Sequence, residues 1–286
     1  MSKNIQFKDL EKVEIEDVEN YPYVYVDGYF YDGVYKGKDI TMKLFTRLDE
    51  FNVSNTIKEI DILRGFIYTP NVISLLGYVF DISRERVLYG IVLESICLTL
   101  REYIDINTNL SYDCKACIIL EAVKGLDALH YKYETPILHH NLTSDSFFVT
   151  KDNTLKIGTS AKYKHTSRVN FMAYFDYNII MDIFSEYTIY SEIYSLGIVL
   201  WEILTGKIPF ENMNYTGIYN MLIKDNVSEY LPLDAPIELQ GIIVGCRSKN
   251  TSTRPTTTSI INFLTQYINL IDKNKNRNLN RIECSQ

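Results

Sequence analysis

Long apolar runs are missing from this 286-residue chain. The longest, LGIVLWEIL from Leu196 to Leu204, carries Glu202 and falls well short of the ~20 apolar residues that span a bilayer. It reads as a buried core helix. The opening MSKNIQFKDLEKVEIEDVEN is polar and acidic and does not read as a secretory signal. Cysteine is sparse. Five residues, an odd and scattered set, exclude a disulfide framework and point to a reducing compartment. No basic surplus is present to hold nucleic acid or an anionic membrane, since Lys and Arg total 29 against 36 Asp and Glu, a net charge of −7. Glycine (13) and proline (7) are scarce while tyrosine is abundant (23). With frequent Asn and Ile, this usage follows AT-rich codons and informs about the genome rather than the mechanism. No internal repeat is visible. What remains is an ordinary globular mixture, 46% hydrophobic and 23% charged, sufficient for one large domain or two lobes with real cores.

The first hundred residues read as strands around one helix. YPYVYVDGYFYDGVYKGKDITMKLF is rich in β-branched and aromatic residues, with turn signals at Asp27-Gly28, Asp32-Gly33 and Gly37-Lys38. Alternation in ITMKLF puts Ile40, Met42 and Leu44 on one face and Thr41, Lys43 and Phe45 on the other. SNTIKEIDILRGF has helical spacing, with Ile57, Ile60 and Leu63 on one stripe. NVISLLGYVF and RVLYGIVLE return to strand character. The remainder is mostly helical. SYDCKACIILEAVKGLDALHYK is a long amphipathic helix with Ser111 as its N-cap. A short strand-rich stretch, Ile137 to Ile157, follows. SEIYSLGIVLWEIL, TGIYNMLIK, PIELQGIIVGCRS and TTTSIINFLTQYINLI are further helices. The tail DKNKNRNLNRIECSQ is polar and expected to fray. A small strand-rich lobe, a hinge near Glu94 to Leu98 and a large helical lobe result.

That layout, an α+β bilobal arrangement, resembles the protein-kinase fold, and its anchors fall in order. ITMK stands where kinases carry V-A-I-K, so Lys43 takes the place of the phosphate-contacting lysine and Glu59 that of its helix partner. SEIYSLGIVLWEILTGKIPF follows the kinase segment S-D-V-Y-S-F-G-V-x-L-W-E-x-x-T-G-x-x-P-F. Arg254-Pro255-Thr256 matches the kinase R-P-T/S. The chemistry-bearing positions are another matter. Aligned back from VYKG, the three glycine positions of the phosphate loop hold Asp27, Tyr29 and Asp32, two carboxylates and a ring where a bare backbone must approach phosphate. In ILHHNLTSDSFFV, residues Ile137 to Val149, the base position is Asn141, an amide that takes no proton from a substrate. General-base help is worth ~10²–10⁴-fold. The loop lysine is Thr143, the second metal ligand is Ser146, and D-F-G reads Thr159-Ser160-Ala161. Phosphoryl transfer depends on a metal bridging the phosphates, so these losses compound.

Several residues also have a purely structural reading. Lys43 and Glu59 serve equally as an ion pair that locks the small lobe. Leu63, Leu75 and His139 would stack as an internal spine whose fourth member is Ser160. Cys114 and Cys117 on one helix read as small buried apolar residues rather than a metal or redox pair. His139-His140 lacks convergent ligands for a metal. The glutamate of the kinase A-P-E motif falls near Ile179 and is lost, which removes the usual partner of Arg254.

From about Tyr21 to Ile271 the chain resembles the pseudokinase domain of the mixed lineage kinase domain-like family. LHHNLTSDSFFVTKDNTLKIGTSAKYK and the run RVNFMAYFDYNIIMDIFSEYTIYSEIYSLGIVLWEILTGKIPF carry the resemblance, with Glu192 in place of the usual kinase Asp and the insert MDIFSEYTIY before it. It implies a lead-in at 1–20, a pseudokinase domain at 21–271 with lobes at 21–94 and 99–271, and a tail at 272–286. It implies a catalytically dead domain with no cofactor. Cellular members carry a membrane-permeabilising four-helix bundle and act as the terminal effector of necroptosis. Some twenty residues do not make such a bundle, and free-standing forms of this kind are known from poxviruses. The expectation is therefore a decoy in the host cytoplasm. It would bind the upstream receptor-interacting serine/threonine kinase and block necroptosis, with no nucleic-acid partner and no membrane insertion. Phe184 and Tyr187, in the polar insert, are the expected partner contacts. Thr166 and Ser167 lie where the family is phosphorylated. Competing expectations are a divergent kinase drawing on Asp145, and a scaffold binding ATP through Lys43 without metal.

Overall fold

Alternating burial in ITMKLF organises the small lobe. The computed structural model describes residues 10–20, 29–82, 87–159 and 171–283. Within them, strands β1 (Glu11–Lys12), β2 (Val18–Glu19), β3 (Tyr29–Tyr35) and β4 (Lys38–Phe45) precede helix α1 (Glu50–Arg64), followed by β5 (Leu75–Ile82) and β6 (Val87–Glu94). These strands form one sheet in the order β1-β5-β6-β4-β3-β2. Ile40, Met42 and Leu44 pack in the outer cluster of the lobe, as their alternation requires. Thr41 and Lys43 face the other way, towards α1 and the large lobe. The hairpin between β3 and β4 turns at Lys36 and Gly37, whose φ angles are 50° and 72°, a conformation that suits glycine. Of the other two turns expected in this stretch, Asp27-Gly28 lies outside the described residues and Asp32-Gly33 does not form one. Asp32-Gly33 continues β3, paired with Thr41 and Ile40, and a Cβ on Gly33 would lie 2.7 Å from Val18 Cγ1. Glycine is there to let β2 come close.

Residues 10–20 belong to the lobe rather than leading into it. Val13, Ile15 and Val18 are buried in the outer cluster with Met42 and Val92. This segment crosses the sheet from β1 at one edge to β2 at the other.

The hinge passes into β7 (Ile96–Thr99), α2 (Leu100–Ile106) and the long α3 (Tyr112–Tyr131). Ser111 caps α3 by accepting from Cys114 N at 3.3 Å. β8 (Phe147–Thr150) and β9 (Leu155–Ile157) complete a second sheet, β7-β8-β9. Then come α4 (Tyr177–Met181), α5 (Ile189–Thr205), α6 (Tyr215–Tyr219), α7 (Ile237–Cys246) and α8 (Thr257–Glu283). α5 is buried from Ser191 to Leu204, as an all-round apolar helix must be, and ends on Gly206 in the left-handed conformation. α8 extends through the stretch expected to fray, as far as Glu283.

The lobes are stitched at the hinge. Ile73 N donates to Ile157 O at 2.9 Å, and Ile157 N donates to Asn71 O at 2.8 Å. Glu94 accepts from Ser74 N at 2.6 Å and from Lys156 Nζ at 2.8 Å. Asp39 of β4 pairs with Lys151 beyond β8.

Candidate functional site: the interlobe cleft

Lys43 and Glu59 meet at 2.7 Å, with side chains only 6% and 7% exposed. α1 makes this possible by placing Glu59 on its buried side with Ile60 and Leu63, while Asp49 caps the helix by accepting from Phe51 N. The Lys43–Glu59 contact is the ion pair expected of the small lobe from its resemblance to kinases. Leu63, Leu75 and His139 are all buried, as the spine requires. Burial holds the His139 imidazole below its usual pKa and therefore neutral.

The loop beneath is held by its own hydroxyls. Thr143 N donates to Ser146 Oγ at 3.0 Å, and Ser146 Oγ donates to Asn141 O at 3.0 Å. Ser146 thus ties the loop together where a second metal ligand is expected. Thr159 Oγ1 is buried without a hydrogen-bond partner. Asn141, Ser146 and Thr159 supply one amide and two buried hydroxyls, with the Ser146 hydroxyl already engaged inside its loop, and no cluster of three or more metal-ligating side chains exists among the described residues. Magnesium is ordinarily held through carboxylates. A metal–nucleotide complex does not fit this donor set.

The upper surface of the cleft fits it no better. β3 and β4 pair Phe30 with Lys43 and Asp32 with Thr41, so all four share the face over the cleft. Asp32 Oδ1 accepts from the Thr41 hydroxyl at 3.1 Å. Thr41 Oγ1 in turn accepts from Ile96 N, in the hinge, at 2.9 Å. Phe30 reaches the large lobe, where its ring centroid lies 5.9 Å from that of Phe148, tilted by 47°. Tyr29 begins β3 opposite Leu44. Asp27, Ser160, Ala161, Thr166 and Ser167 lie outside the described residues.

A second buried polar centre supports the loop from below. Glu202 accepts from Tyr174 Oη at 2.5 Å, Arg101 Nη1 at 2.9 Å and Ser144 Oγ at 2.9 Å. Burial still outweighs these donors and pushes its carboxyl up to about 7. Glu192 accepts from His140 N at 2.8 Å and lies 2.7 Å from His130 Nε2. One carboxylate thus serves both, through Oε1 and Oε2.

Arg254 keeps a buried partner after all. Its Nη1 donates to Asp176 Oδ2 at 2.9 Å and to Tyr190 O at 2.7 Å. Asp176, the N-cap of α4, does the work expected of a glutamate near Ile179, which is instead a buried apolar residue.

The two expected contact residues part ways. Phe184 is 89% exposed, flanked by exposed Met181 and Ile183. Asp182 fixes its backbone by accepting from Phe184 N at 2.9 Å. The Tyr187 ring lies 5.1 Å from the His140 ring. Burial, then the nearby Glu192 carboxylate, raises the pKa of its phenol, so its polar end points inward. Cys114 and Cys117 are exposed rather than buried. The buried stripe of α3 passes through Ala116, Ile119 and Val123 and leaves both thiols on its flank.

A family model described as protein tyrosine and serine/threonine kinase matches residues 26–264. The human mixed lineage kinase domain-like protein is 32% identical over 256 residues, covering 83% of this chain and 54% of that protein. Its mouse counterpart is 33% identical over 242 residues, covering 79% and 50%. The RGS domain-containing serine/threonine-protein kinase A of Dictyostelium discoideum is 28% identical over 252 residues, covering 84% and 21%. The chain thus spans about half the length of the mammalian relatives.

Proposed function

The chain belongs to the protein tyrosine and serine/threonine kinase family, and from that premise we propose that it is a catalytically silent member acting through binding. The carrying observation is an intact kinase frame around an incomplete reaction centre. Lys43–Glu59 and Asp176–Arg254 are both formed and buried, whereas Asn141, Ser146 and Thr159 supply neither a base nor a metal carboxylate. A scaffold preserved without its chemistry is suited to being recognised.

The partner in this reading is the receptor-interacting serine/threonine kinase that acts upstream of the mixed lineage kinase domain-like effector. Docking on it would occupy that kinase as a decoy and block necroptosis of the host cell. Likeness to the two mammalian relatives supports the choice of partner. Phe184 supports the choice of surface. Met181, Ile183 and Phe184 are 60%, 70% and 89% exposed, and the turn holding them is anchored by Ser185 Oγ donating to Asn178 O and Tyr215 Oη donating to Ile180 O. An aromatic presented on a fixed turn is a preorganised anchor.

The test is titration of the purified chain against receptor-interacting kinase domains from several mammals, phosphorylated and not. Saturable binding weakened by Phe184→Ala is expected, with no phosphate transferred to any substrate. Absence of binding to every such domain would remove the decoy reading. Phosphotransfer that is lost in Lys43→Met would remove the silent one.

A further inference from the structure

We propose that the interlobe cleft is liganded by the chain itself, with Phe30 standing in for a planar base and the Thr41 hydroxyl for that base's hydrogen-bond acceptor. The misfit between the cleft and a metal–nucleotide complex then has a positive content: the place is already taken.

Two independent contacts carry this. The first is aromatic. Phe30 belongs to β3 of the small lobe and Phe148 to β8 of the large lobe, and their rings meet across the cleft at 5.9 Å. Phe148 is 2% exposed, so no free floor is left on which another ring could stack. Offset and tilted pairs at this separation are favourable in their own right. The second contact is polar. Ile96 N is the backbone donor that the hinge turns toward β4, and Thr41 Oγ1 already accepts from it at 2.9 Å. The same hydroxyl donates to Asp32 at 3.1 Å. An incoming heterocycle would have to displace a satisfied hydrogen bond, which gains little. It would also bring its phosphates beneath the Asp32 carboxylate.

The sequence reaches this arrangement by strand register. Phe30, Asp32, Thr41 and Lys43 all fall on one face of the β3–β4 hairpin. The consequence is a small lobe seated on the large one with no nucleotide between them, joined by an aromatic contact in front and the Glu94–Lys156 pair behind. This inference is independent of the decoy reading, because it concerns what holds the lobes and not what the outer surface binds.

The experiment uses the full chain and adenosine, a base without phosphates, so that Asp32 does not enter. Binding is followed by calorimetry and thermal shift for the wild type, Phe30→Ala and Phe30→Ala/Thr41→Val. The wild type should show no saturable binding. The variants should gain adenosine affinity by roughly ten- to a hundredfold, the scale of stacking one base on an aromatic ring. Wild-type binding as tight as that of the variants overturns the proposal, and so do variants that fold and bind no better. Should the variants fail to fold, amide exchange in the wild type decides. Slow exchange at Ile96 without ligand, unchanged by adenosine, sustains the internal hydrogen bond. Rapid exchange at Ile96 overturns it.

Discussion

Asp176 and Arg254 face each other at 2.9 Å with both side chains fully buried. They join the N-cap of α4 to the region before α8, beside the start of α5, where Arg254 also donates to Tyr190 O.

Removing one partner leaves a buried charge uncompensated, which costs about 3–5 kcal/mol. Asp176→Ala should therefore lower stability by about that amount in urea unfolding. Asp176→Ala/Arg254→Met should recover much of the loss, since an apolar pair of similar volume carries no charge to bury. A single variant that costs less than about 1 kcal/mol, the scale of an exposed pair, would show that the pair is not load-sharing.

Lys43 and Glu59 invite the same logic with a different reading. If their role is structural, Lys43→Met should destabilise by about 3–5 kcal/mol and Lys43→Met/Glu59→Leu by clearly less. A double-variant cost equal to the sum of the two single-variant costs, measured by chemical denaturation, would show that the two act separately.

Acid should loosen the fold through His139. An unfolded histidine titrates near 6.5, while burial depresses the folded value. Below about pH 6.5 the unfolded chain binds a proton that the folded chain refuses, so stability is full above that pH and is lost as pH falls through the folded pKa. Glu202 works in the opposite sense. Its carboxyl, pushed up to about 7, makes the folded state less stable as pH rises from the ordinary carboxylate value of 4.5 toward 7. The comparison that isolates His139 is the wild type against His139→Phe, by denaturant unfolding at several pH values. The difference in stability between them should shift in favour of His139→Phe as the solution is acidified. A difference that stays constant with pH would mean that His139 does not titrate across the transition.

Phe184 and Tyr187 should separate cleanly in stability. Phe184 is 89% exposed, and surface truncations usually fall within about 0.5 kcal/mol. Tyr187 packs on His140 with its phenol buried near Glu192, so Tyr187→Ala should cost several times more. Melting curves of the two variants give the answer directly. A marked loss of stability in Phe184→Ala would mean that its ring has an intramolecular seat and is no free anchor.

Which parts of this were legible in the linear chain depends on the range of the interaction. Alternation in ITMKLF correctly set the faces of Met42 and Lys43, because strand pleating is local. The same pattern put Thr41 on the cleft side but gave no hint of Ile96, whose N–H it meets only once the lobes are assembled. Phe30 and Phe148 escaped notice for the same reason. Each reads as an ordinary strand residue, and only tertiary packing makes them neighbours. Asp176 was missed because motif spacing pointed to Ile179, whereas Arg254 needs a carboxylate within reach and not at a fixed count. Cys114 and Cys117 were assigned to the wrong side of α3, since composition alone does not set the phase of a helix whose buried stripe runs through Ala116 and Ile119.

The segment that crosses the outer face of the small lobe has a practical consequence. Both edges of the six-stranded sheet are formed by two-residue strands, β1 and β2, and the stretch between them covers apolar side chains of β4. Very short edge strands leave little backbone to template pairing with another chain. A version trimmed to begin after position 20 would bare the longer edges of β5 and β3 together with the greasy surface of Ile40, Met42 and Leu44. Such a fragment should clump during expression even though every residue of the cleft is still present, which makes residues 10–20 the guardian of solubility for the domain behind them.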